Sequence, residues 1–188
     1  MYKFAYRQSP RLQTRGFTLL DILLSISILA LVLGLGVPSL TEILNTHKKK
    51  TSLSSILHMM NFARQTAIDT RENITLCPST DLINCSRDWR NPVIVFLDKD
   101  ANREISEEDT LLRVRDVIDT SQQLTMRSSA NRQYVQFQAD GSTRGQNGSF
   151  YLCQTHGESA GETKARIIFY HTGRSRIAKH HELTGSCN

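Results

Sequence analysis

Residues 15–40 read RGFTLLDILLSISILALVLGLGVPSL, and beyond Arg15 this stretch holds a single charged side chain, Asp21. At 1.5 Å of rise per residue, a helix over residues 17–40 reaches about 35 Å, enough to cross one bilayer. A single membrane-spanning helix is therefore expected. Cleavable secretory signals place a small-residue site of the A-x-A kind after the apolar run, and none follows here. The cut is expected ahead of the run, between Gly16 and Phe17. Lys3, Arg7, Arg11 and Arg15 make residues 1–16 a basic leader without an acid. Such a leader stays cytoplasmic and sends everything after Leu40 to the outer side.

The leader also dominates the charge balance. The 188 residues hold 23 Lys plus Arg against 18 Asp plus Glu, or +5, and removal of four leader bases leaves 19 against 18. With 39% hydrophobic and 22% charged residues, the composition is globular. The length suits one domain with an appendage and excludes both a large multidomain enzyme and a polytopic membrane protein.

The run Arg15-Gly16-Phe17-Thr18-Leu19-Leu20-Asp21 ahead of an apolar helix resembles the class III signal of type IV pilins and type II secretion pseudopilins. The resemblance implies a prepilin peptidase that cuts after Gly16 and methylates Phe17. Pro38 stands where that family has its helix-loosening proline. The fifth residue after the cut is Glu in the family and Asp21 here. A carboxylate at mid-bilayer costs about 2.5–3.5 kcal/mol, so it needs a partner. The resemblance supplies the charged amine of a neighbouring subunit's Phe17 and makes Asp21 an assembly residue. The plainer reading is an acid at a helix N-terminus, stabilised by the helix dipole and interfacial water.

Past Pro38 the helical pattern changes character. Leu53, Ile56, Leu57, Met60, Ala63 and Ala67 share one helical face, with Ser54, His58, Asn61, Gln65 and Asp69 elsewhere. Residues 41–72 are thus an amphipathic half that covers a sheet, while residues 17–40 meet lipid or other helices. Lys48, Lys49 and Lys50 mark the transition and read as a solvated face. Gly34, Gly36 and Pro38 predict a bend or unwound turn between the halves.

From residue 73 onward the chain reads as short strands between polar turns: 74–77, 93–97, 111–116, 123–126, 134–138, 150–153, 166–170 and 174–178. The expected fold is α+β and pilin-like, a long N-terminal helix packed on an antiparallel β-sheet head of residues 73–188.

Cys77, Cys85, Cys153 and Cys187 all fall in the part expected outside the cytoplasm, where disulfides persist. Three pairings are possible. Cys77 with Cys85 closes a local loop containing Pro, and Cys153 with Cys187 fastens the tail to a central strand, which favours that set. On a chain-entropy basis these bonds contribute about 2.5 and 4 kcal/mol. A zinc site with His171, His180 and His181 is the rival. It lacks any CxxC pair, and adjacent strand residues His180 and His181 would point to opposite faces.

Two further patterns bear on chemistry. Gly157-Glu158-Ser159-Ala160-Gly161 matches GxSxG, but its flanks read as two strands rather than the strand and helix of a nucleophile elbow, so a polar hairpin loop is expected. Asp98, Asp100, Asn102, Glu104, Ser106 and Asp109 have calcium-loop spacing, with Ile105 in the apolar slot. Arg103 stands where such loops have Gly, and Asp109 replaces the terminal Glu. An acidic hairpin turn is favoured over a calcium site.

Residues 163–188 hold Lys164, Arg166, Arg174, Arg176 and Lys179 against Glu182, or +4, while residues 17–162 hold 14 bases and 17 acids, or −3. In Gly173-Arg174-Ser175-Arg176 the glycine permits a turn into a strand whose period of two places both arginines on one face. Their Cα atoms would lie about 6.5–7 Å apart, close to the phosphate spacing along one DNA strand. The cysteine placement and this element resemble the FimT/GspH branch of minor pilins and pseudopilins, nearest its FimT-type members. The resemblance implies that Gly173, Arg174 and Arg176 bind double-stranded DNA without sequence preference during natural transformation, with Lys179, Lys164 and Arg166 in support. It implies a non-enzymatic protein without a cofactor. Its partners would be DNA, other major and minor pilins, prepilin peptidase and inner-membrane lipid. The protein would be single-pass in a bacterial inner membrane with a periplasmic head, and part of an extracellular pilus after assembly. A GspH-type pseudopilin with a structural role is the alternative.

Overall fold

The computed structural model describes residues 16–155, 161–185 and 187, with the side chains of 35–39, 41 and 42 outside the description. It divides into two units, one ending at Leu44 and the other Asn45–Asn188. The leader 1–15 lies outside the described residues.

Helix α1 spans Leu19–Thr70. Its start is set by a reciprocal cap. The Thr18 hydroxyl accepts from the Asp21 N–H at 3.2 Å, and the Asp21 carboxylate accepts from the Thr18 N–H at 3.0 Å and hydroxyl at 2.8 Å. Its end is set by Arg71, which takes φ 60° and donates its N–H to the Ala67 carbonyl at 3.0 Å. The unwound turn expected near Gly34, Gly36 and Pro38 is not found, since the helix is continuous there. Proline forfeits only one i→i−4 bond, and the helix runs on through Gly34, Gly36 and Pro38 despite their low propensity.

In the first unit every described residue from 16 to 34 is exposed, including Leu19, Leu23, Ile26 and Leu33. Among the described residues no helix is long and apolar enough to cross a membrane. The apolar run of 17–40 includes the five positions 35–39, whose side chains are not described.

In the second unit, all eight expected strands are present and antiparallel. They are β1 (Ile74–Pro78), β2 (Val93–Leu97), β3 (Thr110–Arg115), β4 (Gln122–Ser128), β5 (Val135–Phe137), β6 (Gly148–Gln154), β7 (Thr163–Phe169) and β8 (Ser175–Ile177). They form two four-stranded sheets, in the orders β3-β2-β1-β5 and β4-β6-β7-β8. One core joins both sheets to the helix: Leu53, Ile56, Met59, Met60, Ala63 and Ala67 from α1, Leu76 and Val95 from the first sheet, Phe150 and Phe169 from the second. Met59 joins the face read from periodicity, and Leu57 is only partly buried. Trp89 closes this core edge-on against Phe150, with ring centroids 4.7 Å apart.

Alternation leaves each sheet an outer face with its own cover. Cys77, Ile94 and Phe96 lie under Cys85, Ile105 and Tyr134, and Tyr151, Cys153 and Cys187 form a small cluster on the second sheet. The disulfides are Cys77–Cys85 and Cys153–Cys187, the favoured set. Among the described residues no cysteine is free, which removes the zinc alternative. His180 and His181 sit in a short 3-10 turn rather than a strand. That turn starts where Ala178 is buried and the chain leaves the sheet edge.

Candidate functional site

The Gly-Arg-Ser-Arg element opens on a tight hairpin between β7 and β8. The Tyr170 carbonyl accepts from the Gly173 N–H at 2.8 Å, the Tyr170 N–H donates to the Arg174 carbonyl at 3.0 Å, and Gly173 takes φ +76°. The loop of residues 138–142 is built the same way around Gly141 at φ +75°. The two tips meet: a Cβ on Gly173 would lie 1.8 Å from the Gly141 carbonyl oxygen. Arg64 of α1 donates to that same oxygen at 3.1 Å. Gly173 is thus required by backbone conformation and by a backbone contact that leaves no room for a side chain.

The two arginines that follow have different surroundings. Arg174 is exposed and makes no side-chain hydrogen bond or ion pair among the described residues. Arg176 is half-buried and engaged on every side. Its Nη1 and Nη2 donate to the two Glu182 carboxylate oxygens at 2.7 and 2.8 Å, and its Nε donates to the Tyr170 hydroxyl at 3.1 Å. The Lys179 N–H donates to Glu182 at 2.8 Å. Arg176 raises no second free fork beside Arg174, which corrects the pair expected from spacing. The physical reason is local: a bidentate guanidinium–carboxylate pair is the strongest partner available to a strand-edge arginine. Glu182, the one acid of the tail, lies six residues on, across the turn after β8. The Arg176 bonds, and then the Lys179 N–H, hold the Glu182 carboxyl at about 2 rather than 4.5, and the same contact raises Arg176 further above its usual value.

The expected supporting cations divide in the same way. Arg166 donates to the Glu182 carbonyl at 3.2 Å, lies 4.9 Å from the centre of the Tyr151 ring and has its Nε buried without an acceptor among the described residues. It is a packing residue. Lys164 pairs with Glu162 at 2.8 Å, just outside the window whose charge looked so asymmetric. Lys179 is exposed. Of the six residues expected at the DNA site, Arg174 and Lys179 present open charge, and Gly173 shapes the turn before them.

The remaining sequence patterns resolve as follows. Asp98, Asp100 and Asp109 each bring an oxygen within 4.8 Å of the others, and Arg103 takes φ 69°, the conformation that the missing glycine would supply. The acids are already engaged. Asp98 is fully buried and accepts from Thr75 and Gln136, while Asp100 accepts from the Asn102 amide at 2.7 Å. Asn102 turns its oxygen to the Glu104 N–H at 2.7 Å. Asp109 accepts from Lys99 and Ser106. Burial works to raise its carboxyl, and the Ser106 and Lys99 bonds outweigh it, leaving it below its usual value. The described residues thus form a hydrogen-bonded acidic turn between β2 and β3. Of the GxSxG pattern, Gly157, Glu158, Ser159 and Ala160 lie outside the described residues. Phe17 is 87% exposed ahead of the helix, beside Gly16.

The family model "Type II transport protein GspH" matches residues 53–173. The fold is shared with crystal structures of the type IV minor pilin FimU of Pseudomonas aeruginosa. One is 19% identical, with a TM-score of 0.56 over 77% of this chain and 97% of that one. A second crystal form is 18% identical, at 0.50 over 74% and 99%. The minor pseudopilin EpsH from the Type 2 Secretion System of Vibrio cholerae is 9% identical, with a TM-score of 0.43 over 70% of this chain and 98% of that one. No curated protein matches the chain by sequence.

Proposed function

Because the chain belongs to the GspH family of pilins and pseudopilins, structural proteins that assemble with others of their kind, we propose that it is a minor subunit of a type IV pilus. In this reading prepilin peptidase cuts between Gly16 and Phe17 and methylates Phe17. Residues 17–40 lie in the inner membrane, the head stands in the periplasm, and the subunit leaves the membrane for the filament with Asp21 aiding its entry. The observation that carries it is the exposed apolar face of α1 from Leu19 to Leu33, beside a head whose own core is complete. A surface of that kind needs lipid or neighbouring helices to cover it.

The head also contacts double-stranded DNA during uptake, through phosphates and without sequence preference, and Arg174 is the anchor. The hairpin that holds Arg174 is fixed at Gly173, and its guanidinium is open to solvent. The structural GspH-type pseudopilin is the second reading, favoured by the Arg176–Glu182 pair that closes one fork. A deletion strain complemented with wild type or Arg174→Ala separates them. The pilus reading expects transformation to fall in the deletion and to be restored by wild type but not by Arg174→Ala. Normal transformation with failed protein secretion would overturn it in favour of the pseudopilin.

A further inference from the structure

The spacing argued for residues 174 and 176 occurs a second time, with free side chains. Arg113 and Arg115 lie on β3, the edge strand of the first sheet. Arg113 sits opposite Val95 and Arg115 opposite Val93, and both valines belong to the core beneath α1. The two arginines therefore point to the helix side of the sheet, their Cα atoms about 6.5–7 Å apart. There they line an open groove of about 570 Å³ with Lys50, Ser54, Ser55 and His58 of α1.

Among the described residues no acid lines this groove. Arg113 is seated over the Phe62 ring at 3.7 Å, which orders its guanidinium while leaving the N–H groups unused. Arg115 and Lys50 have no hydrogen-bond or ion-pair partner among the described residues and are exposed. Three cations, of which Arg113 is held by Phe62, and a row of hydroxyls make a donor set suited to a chain of oxyanions. A protein partner would need an apolar anchor at its centre. The groove's one apolar residue, Met59, is only 1% exposed. Arg64, which holds the Gly141 and Gly173 tips, lies on the opposite flank of α1 from Ser55 and Phe62 by helical period and about 21 Å along the axis from Lys50.

We infer that the groove between α1 and β3 binds the phosphodiester backbone of DNA through Lys50, Arg113 and Arg115, as a site separate from Arg174. This rests on the DNA-uptake reading for its ligand and extends it to a second surface.

The test is salt-dependent anisotropy of a labelled 20-base-pair duplex with the full chain in uncharged detergent. Arg174 and Lys179 alone predict a slope of log affinity on log salt near −1.8, and a duplex that lies across both surfaces at once engages the three groove cations as well and brings it to about −4.5. Arg113→Gln with Arg115→Gln should return the slope to about −2.7 and weaken binding at least about tenfold at low salt. Arg115→Gln, at a side chain that supports no other residue, should remove about 0.9 and keeps the test valid if the double variant unfolds. Unchanged slope and affinity in these variants, with binding lost in Arg174→Gln, would overturn the groove and leave the C-terminal reading intact. Absence of duplex binding by wild type would remove both. An oligoglutamate peptide bound in an Arg113-dependent way, with DNA unbound, would assign the groove to an acidic protein and overturn the proposal.

Discussion

Arg176 shows how one neighbour redirects a residue. Spacing along a strand identifies which side chains share a face but not which of them has a carboxylate within reach, and Glu182 approaches only because the chain turns back after Ile177. Gly173 likewise reads from sequence as turn chemistry, whereas its tighter constraint is the Gly141 backbone 32 positions earlier, which no local pattern reveals. The ion pair has a pH signature. The folded carboxyl of Glu182 lies below its unfolded value, so its contribution is complete above about pH 4.5 and is lost as the pH falls towards 2. Thermal melts of wild type and Glu182→Gln are therefore expected to converge as the pH drops through that window. Curves that stay parallel would show that the pair contributes nothing to stability.

At the level of elements, the eight strands, the amphipathic half of α1 and both disulfides were legible, because period-two alternation and the short Cys77–Cys85 separation are local signals and that pair leaves Cys153 and Cys187 for each other. What was not legible is how strands divide between two sheets, since β5 returns to β1 across a long separation while β4 pairs with β6. That division is also what sets Arg113 and Arg115 beside α1, so their position on a groove is not legible from a spacing that is the same as at 174–176. Of the bend or unwound turn that Gly34, Gly36 and Pro38 suggest, the unwound turn is absent, because propensity is a weak prior inside a 52-residue helix. The acidic turn at 98–109 is satisfied by its own hydrogen bonds and by Thr75 and Gln136. Its melting temperature is expected to be the same in millimolar calcium and in chelator. A bound cation at a hundred times its Kd would instead add about 2.7 kcal/mol and raise the midpoint by several degrees.

In the whole molecule a head with its own core is joined in sequence to an apolar helical segment whose described residues are exposed. Thr18 satisfies the Asp21 carboxylate in the single chain, so the acid does not need a neighbouring subunit to be tolerated at the helix start. In the proposed filament the amine freed at Phe17 would compete with Thr18 for that carboxylate, and the exposed leucines of residues 19–33 would be covered by other subunits' helices. The claim on which the rest depends is that the chain is processed and enters a filament. Mass spectrometry of sheared filaments tests it most directly. The account predicts a terminal peptide that begins at N-methylated Phe17 within the filament fraction. A chain that still begins at Met1 and stays wholly with the membranes would contradict it.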